Sequence, residues 1–203
     1  MGYYIFSYGI ETDKIKNVFN SNNENILKLI KKSETFEGYK DFSPEGFKTT
    51  PEKALDDIIY NKPYDEKSNF AYGYAIICIS DVLGKKLPYT HEIKFGYETD
   101  LIDQYLDESF EIADFLIDDI LFDEIPPFNI PLIDDWPVIG ICNQKKLKEL
   151  QNILKDVKIT DEVIESLEEE NDDKACAYMH IKGLKENIEY CIKNNWDMIN
   201  FCH

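Results

Sequence analysis

The residues in this sequence with the most chemical reach are its carboxylates, and three pairs of them are adjacent: Asp56-Asp57, Asp118-Asp119 and Asp134-Asp135. Convergent carboxylates could share a proton for acid–base work or hold a cation. Neighbouring residues on a helix point to different faces, so the first two pairs do not converge. Asp134-Asp135 precedes Trp136-Pro137 in a proline-rich loop, which makes the Asp134-Asp135-Trp136 loop the better place for a small-ligand or catalytic site. No calcium-loop spacing, with its central glycine and terminal glutamate, surrounds that pair. Aspartate is also common in turns because its side chain bonds nearby backbone groups.

The three histidines are His91, His180 and His203. Cys176 and His180 stand four apart and share a helix face, which suits a thiolate–imidazole pair or half of a metal site. Two further ligands would be required, and neither His91 nor His203 stands at a recognisable spacing, so ordinary packing is the reading here. There is no phosphate-cradling glycine loop, no serine elbow and no zinc-hydrolase helix. The sequence therefore implies no catalytic residue, no cofactor and no metal, and leans away from an enzyme.

The charge is informative. Forty acids against 22 lysines give −18, and there is no arginine. Nucleic acid and anionic membranes call for a positive field, so both are excluded as partners. Between Glu92 and Asp135 stand 14 acids and one base, Lys94; between Asp161 and Asp173 stand eight acids and no base. Such runs ordinarily form a solvated face. Their functional reading is a docking surface for a basic protein partner, a toxin domain for instance, because like charges this dense repel one another until a cationic surface relieves them. The residues that would form it are Asp100, Asp103, Asp107, Glu108, Glu111, Asp114, Asp118, Asp119, Asp134 and Asp135. Tyr97, Tyr105, Phe110 and Phe128 are interleaved as aromatic anchors or core.

Elements that would position these groups follow from pattern. Tyr3–Tyr8 reads as a strand, and Thr12 or Asp13 caps a short helix carrying Ile15, Val18 and Phe19. A helix follows around Ile26, Leu27 and Ile30; residues 33–49 read as loop; Thr50-Pro51 starts another helix, which Pro63 stops. The apolar stretch Phe70–Leu83 has the length of a buried helix, and residues 97–124 alternate at helical spacing. Four prolines between 126 and 137 give an extended loop. Val138–Cys142 is a short strand. Helices follow at Leu147–Leu154, from a Thr160 cap through Leu167, and over 175–192, and Trp196–Cys202 is a closing strand. The expected fold is α+β: one domain over 1–203, with a small sheet that contains both terminal strands, packed with several helices. The five cysteines form no Cys-x-x-Cys pair, which fits reduced core thiols in a reducing compartment. With no basic-then-apolar leader, the expected location is the cytoplasm.

Four stretches carry a resemblance: Tyr8-Gly9 with Asp13-Lys14-Ile15; Ala71-Tyr72-Gly73-Tyr74-Ala75; Asp134-Asp135-Trp136-Pro137-Val138-Ile139-Gly140; and Ile199-Asn200-Phe201-Cys202-His203. Together they resemble an uncharacterised family of small, cytoplasmic, acidic bacterial proteins. The resemblance implies one intact domain and assigns no chemical role to any residue. Concentrated negative charge without a catalytic constellation then points to a binding protein that blocks a basic partner, as immunity proteins block toxins. The other reading is a small-ligand protein or enzyme at the Asp134-Asp135-Trp136 loop.

Overall fold

The computed structural model describes residues 2–113 and 115–203. In chain order the elements are β1 (Tyr4–Ile10), α1 (Thr12–Lys16), α2 (Glu24–Ile30), α3 (Glu34–Tyr39), α4 (Pro51–Tyr60) and α5 (Asn69–Leu83). Two-residue strands β2 (Lys85–Lys86) and β3 (Ile93–Lys94) follow, then α6 (Glu98–Phe110), α7 (Ile117–Phe122) and β4 (Val138–Cys142). The chain closes with α8 (Gln144–Ile153), α9 (Asp161–Glu168), α10 (Asp172–Asn194) and β5 (Asp197–Cys202).

The sheet is antiparallel, in the order β2-β1-β5-β4, with β3 also on β1. The terminal strands are neighbours, as expected, in register from Ile5 opposite Cys202 to Ile10 opposite Asp197. β5 lies between β1 and β4, and everything from Met198 to Cys202 is buried. A strand buried on both faces needs apolar residues at both parities, which Met198, Ile199, Phe201 and Cys202 supply.

The two parities lead into separate cores. Ile199 and Phe201 join Ile141 and Ile10 in a cluster built by α1–α5, with Tyr72, Ile76 and Ile79 of α5 at its centre. Met198 and Cys202 join Ile5 and Cys142 in a second cluster, covered by α6, α7, α8 and α10. The sheet is thus sandwiched between the helices of residues 12–83 and those of residues 98–194. α5 is buried from Phe70 to Ser80, which explains its nearly uninterrupted apolar sequence.

Local chemistry sets the helix ends. Asn23, Ser33, Thr50, Asn143, Thr160 and Asn171 each accept a hydrogen bond from a backbone N–H in the first turn of the following helix. Several places differ from the expectation, among them α1, which ends at Lys16 before Val18 and Phe19, and the unforeseen strands β2 and β3. Residues 34–39 are helical rather than loop, since Ser33 caps them and Phe36 is buried. Thr12 does not cap α1; its hydroxyl donates instead to the Asp197 carboxylate of β5. The 97–124 stretch is two helices, because Glu111 adopts a left-handed conformation (φ 57°) and ends α6. Among the described residues no helix is long and apolar enough to cross a membrane. All five cysteines are free thiols, and Cys78, Cys142, Cys191 and Cys202 are buried.

Candidate functional site

α7 places the first candidate face. Gly140 of β4 lets this helix lie directly on the sheet: a Cβ there would stand 2.1 Å from the Leu121 carbonyl oxygen and 2.6 Å from the Phe122 Cα. The Leu121 carbonyl accepts from Asn200 Nδ2 (3.0 Å), and Asn200 Oδ1 accepts from Ser7 Oγ (2.7 Å), so the buried amide at the centre of the sheet is satisfied on both sides. α7 then projects Asp118 and Asp119 into a cleft of about 390 Å³ with Asp123, walled by Phe95, Phe122, Trp136 and Val138. Trp136 is fixed by Tyr3, stacked at 3.8 Å and 12°, with Phe95 edge-on at 6.1 Å. A second cleft, of about 360 Å³, shares Phe122 and Val138 with the first and is lined by Asp134, Asp135 and the proline loop. Asp134 accepts from Asn69 Nδ2 of α5 (2.6 Å). Leu132 and Ile125 stand out at 72% and 70% exposure beside these carboxylates. Val138 is exposed on β4, which is an edge strand.

The expected docking residues therefore divide. Asp118, Asp119, Asp134 and Asp135 line the two adjoining clefts. Asp100, Asp107, Glu108 and Glu111 lie exposed on or just after α6 and line neither. Asp103 is turned inward and accepts from Ile117 N (2.9 Å) at the start of α7; burial raises its carboxyl to about 6, with Asp118, Asp100 and Asp119 adding to the effect. Asp114 lies outside the described residues. Of the remaining pair, Asp57 is buried and bound by Lys53 (3.1 Å) and by the Tyr72 hydroxyl (3.1 Å), while Asp56 faces Lys31 (3.2 Å). Those two carboxylates diverge, as adjacent residues on a helix must.

A larger cavity, about 720 Å³, opens on the opposite edge of the sheet. β1 pairs with β2 at Tyr8 and Gly9 and with β3 at Tyr4 and Ile5; residues 87–92 loop away between them and leave Phe6 and Ser7 uncovered on that side among the described residues. Tyr39, His203, Tyr8, His91, Glu92 and Asn187 line the gap. Tyr39 Oη and His203 Nε2 are 2.8 Å apart. Burial pushes the Tyr39 hydroxyl up to about 12 and lowers the His203 imidazole, so both are neutral at pH 7.

The same 87–92 segment reaches a third cluster. Tyr89 lies across Gly183 of α10, where a Cβ would stand 2.1 Å from its ring. Asn187 bonds both the N–H and the carbonyl of Tyr89, at 2.9 Å each. So held, the Tyr89 hydroxyl meets His180 Nδ1 at 2.6 Å. On the other side of the imidazole, Nε2 is 3.1 Å from Glu98 Oε2. That contact is out of line for a hydrogen bond, and Nε2 has no hydrogen-bond partner. Cys176 completes the group: one ligand atom each from Glu98, Cys176 and His180 lie within 4.8 Å of one another. Burial, with Glu98, Asp172 and Asp173 nearby, pushes the Cys176 thiol up to about 11; burial lowers the His180 imidazole, with the Glu98 carboxylate acting against the fall. The spacing of Cys176 and His180 announced their shared face. Glu98 was one acid among many in its run, and only the packing of α6 on α10 singles it out.

This chain belongs to the family described as Domain of unknown function (DUF7691), which matches residues 1–203. No curated protein and no solved structure matches it.

Proposed function

We propose that the protein binds a basic protein partner on the face beside β4 and blocks it, in the manner of an immunity protein facing a toxin domain. The observation that carries this reading is the cleft in which Asp118, Asp119 and Asp123 stand beside Phe95, Phe122 and Trp136. A lysine or arginine side chain entering it meets carboxylates for its charge and aromatic faces for its cation–π attraction. Exposed Leu132, Ile125 and Val138 add apolar contact around the charged centre, the mixture found in interface cores and rims. A net charge of −18 steers a cationic partner toward the protein.

The test is capture from the native host with two baits, the wild type and Asp118→Lys with Asp119→Lys. The expected partner is basic, and its association with the double variant is slowed by about tenfold or more; added salt slows the wild-type association similarly. An association rate indifferent to both salt and substitution overturns the proposal.

A second reading, a small-ligand protein, is favoured by the cavity of about 720 Å³ at the β1 edge, a size that suits small molecules. Native mass spectrometry of the purified protein would reveal a retained ligand, and Tyr39→Phe should release it.

A further inference from the structure

We infer that Glu98, Cys176 and His180 form a binding site for one divalent transition-metal ion of the zinc class. Cys176 and His180, one turn apart on α10, present sulfur and nitrogen on the same face, and Glu98 in the first turn of α6 supplies oxygen from across the helix pair. Sulfur, imidazole nitrogen and carboxylate oxygen together suit zinc rather than magnesium or calcium, which take oxygen ligands. Zinc bond lengths of about 2.0–2.3 Å in a tetrahedron put ligand atoms roughly 3.3–3.8 Å apart. Ligand atoms already within 4.8 Å of one another need only small side-chain rotations to reach that spacing.

The second observation is His180 itself. Its side chain is 2% exposed, and its Nε2 is buried without a hydrogen-bond partner. Its nearest polar neighbour is the Glu98 carboxylate at 3.1 Å, so nitrogen and carboxylate stand together at the focus of the cluster. The opposite nitrogen is fixed by the Tyr89 hydroxyl, and that hydroxyl is positioned by Gly183 and Asn187. Anchoring one ring nitrogen while the other stays free is how metal-binding histidines are oriented. Glu98 is anchored too: its Oε2 accepts from Lys94 N at 2.6 Å. The competing arrangement is a plain imidazolium–carboxylate pair. In it the Glu98 carboxylate alone serves both His180 and Cys176, while also accepting from Lys94 N. A cation at the shared focus satisfies all three side chains at once. It displaces the Cys176 proton, and one coordination position remains for water.

The test uses full-length protein, kept reduced and stripped with a chelator, and cobalt(II) as a spectroscopic substitute for zinc. One equivalent should bind saturably and give the visible bands of tetrahedral cobalt together with a thiolate-to-cobalt charge-transfer band. Cys176→Ala should abolish the charge-transfer band. Tyr89→Phe should weaken binding by about 10–100-fold while keeping the band, since the phenol only orients the ring. Cys176 and Glu98 are partly exposed, so Cys176→Ala and Glu98→Gln should leave the far-ultraviolet circular dichroism unchanged and can be compared with the wild type directly. Absence of saturable binding in the wild type overturns the site, and so does binding that Cys176→Ala and Glu98→Gln leave unaltered.

Discussion

The two faces of the sheet are built on different terms. Residues 1–84, whose helices cover one face, carry 13 acids and 10 lysines; residues 85–203, whose helices cover the other, carry 27 acids and 12 lysines. The first face packs around α5, with its one buried acid, Asp57, tied by Lys53 and Tyr72. The second face holds four of the five cysteines, the buried His180, the sheet-centred Asn200 and nearly all the excess charge. The near balance of charge spares the first face the like-charge repulsion that the second carries. Both halves keep polar side chains inside, Thr49, Asp57, Ser68 and Ser80 in the first and Thr99, His180, Asn187 and Asn200 in the second, but only the second adds a large excess of like charge outside, which costs stability. The candidate clefts are built by the costlier half, which is where functional constraint shows itself.

β5 is where the comparison breaks with the largest effect, because it serves both cores at once. Deleting residues 197–203 removes Ile199 and Phe201 from one cluster and Met198 and Cys202 from the other. Each large buried side chain lost costs about 2–5 kcal/mol, against total stabilities of roughly 5–15 kcal/mol. The truncated protein is expected to be unfolded or insoluble. A melting temperature unchanged by the deletion would show the faces to be held by their helices alone.

Glycine-to-alanine changes sharpen the contrast with opposite signs. On the second face, Gly140→Ala drives a methyl into the Leu121 carbonyl of α7 and is expected to cost about 1–3 kcal/mol. On the first face, Gly38 in α3 has nothing within 4 Å of where an added methyl would stand, so Gly38→Ala should stabilise by about 0.4–1 kcal/mol through the lost freedom of the unfolded chain. Urea titrations of both variants measure the difference. Equal effects would contradict the account of α7 lying tight on β4.

How much of this was legible in the sequence depends on the range of the interaction. Strands with apolar residues at both parities, such as Ile199 with Phe201 beside Met198, can be read locally, as can the caps at Thr50 and Thr160. The pairing of the chain ends followed from two strands that could not stand alone. Two-residue strands such as β2 and β3 leave no periodicity to detect, and the six-residue α3 was hidden by Gly38 in a loop-like context. The acid-rich set expected to dock a partner illustrates the other limit. Composition marks the run from Glu92 to Asp135 and adjacency marks Asp118-Asp119 within it, yet the cleft they line comes from the packing of α7 on Gly140 and the stacking of Tyr3 on Trp136. Glu98 escaped notice for the same reason: its partners, Cys176 and His180, are far along the chain.

The smallest expected effect concerns Asp103, the docking candidate that turned inward. Its carboxyl is raised from 3.8 to about 6, chiefly by burial and then by Asp118, Asp100 and Asp119, while the hydrogen bond from Ile117 N works against the rise. A carboxyl raised in the fold takes up its proton there first. Between about pH 4 and pH 6 the native chain therefore holds more protons than the unfolded one, and stability falls as pH rises. The contribution of this group is full below about pH 4 and gone once the pH has passed about 6. Asp103→Asn keeps an oxygen to accept from Ile117 N and removes the titration. Its melting temperature should vary less than that of the wild type across this window, and it should gain on the wild type between pH 4 and pH 7. Asp103 is only half-buried, and solvent screening holds the gain below about 1 kcal/mol, or roughly 2–4 °C for a chain of this size. Asp57→Asn on the other face supplies the contrast: it breaks the Lys53 pair of a buried carboxylate, and it should destabilise at neutral pH. If Asp103→Asn melted lower than the wild type at pH 7, Asp103 would be a stabilising carboxylate like Asp57, and the distinction between the faces would not extend to their buried acids.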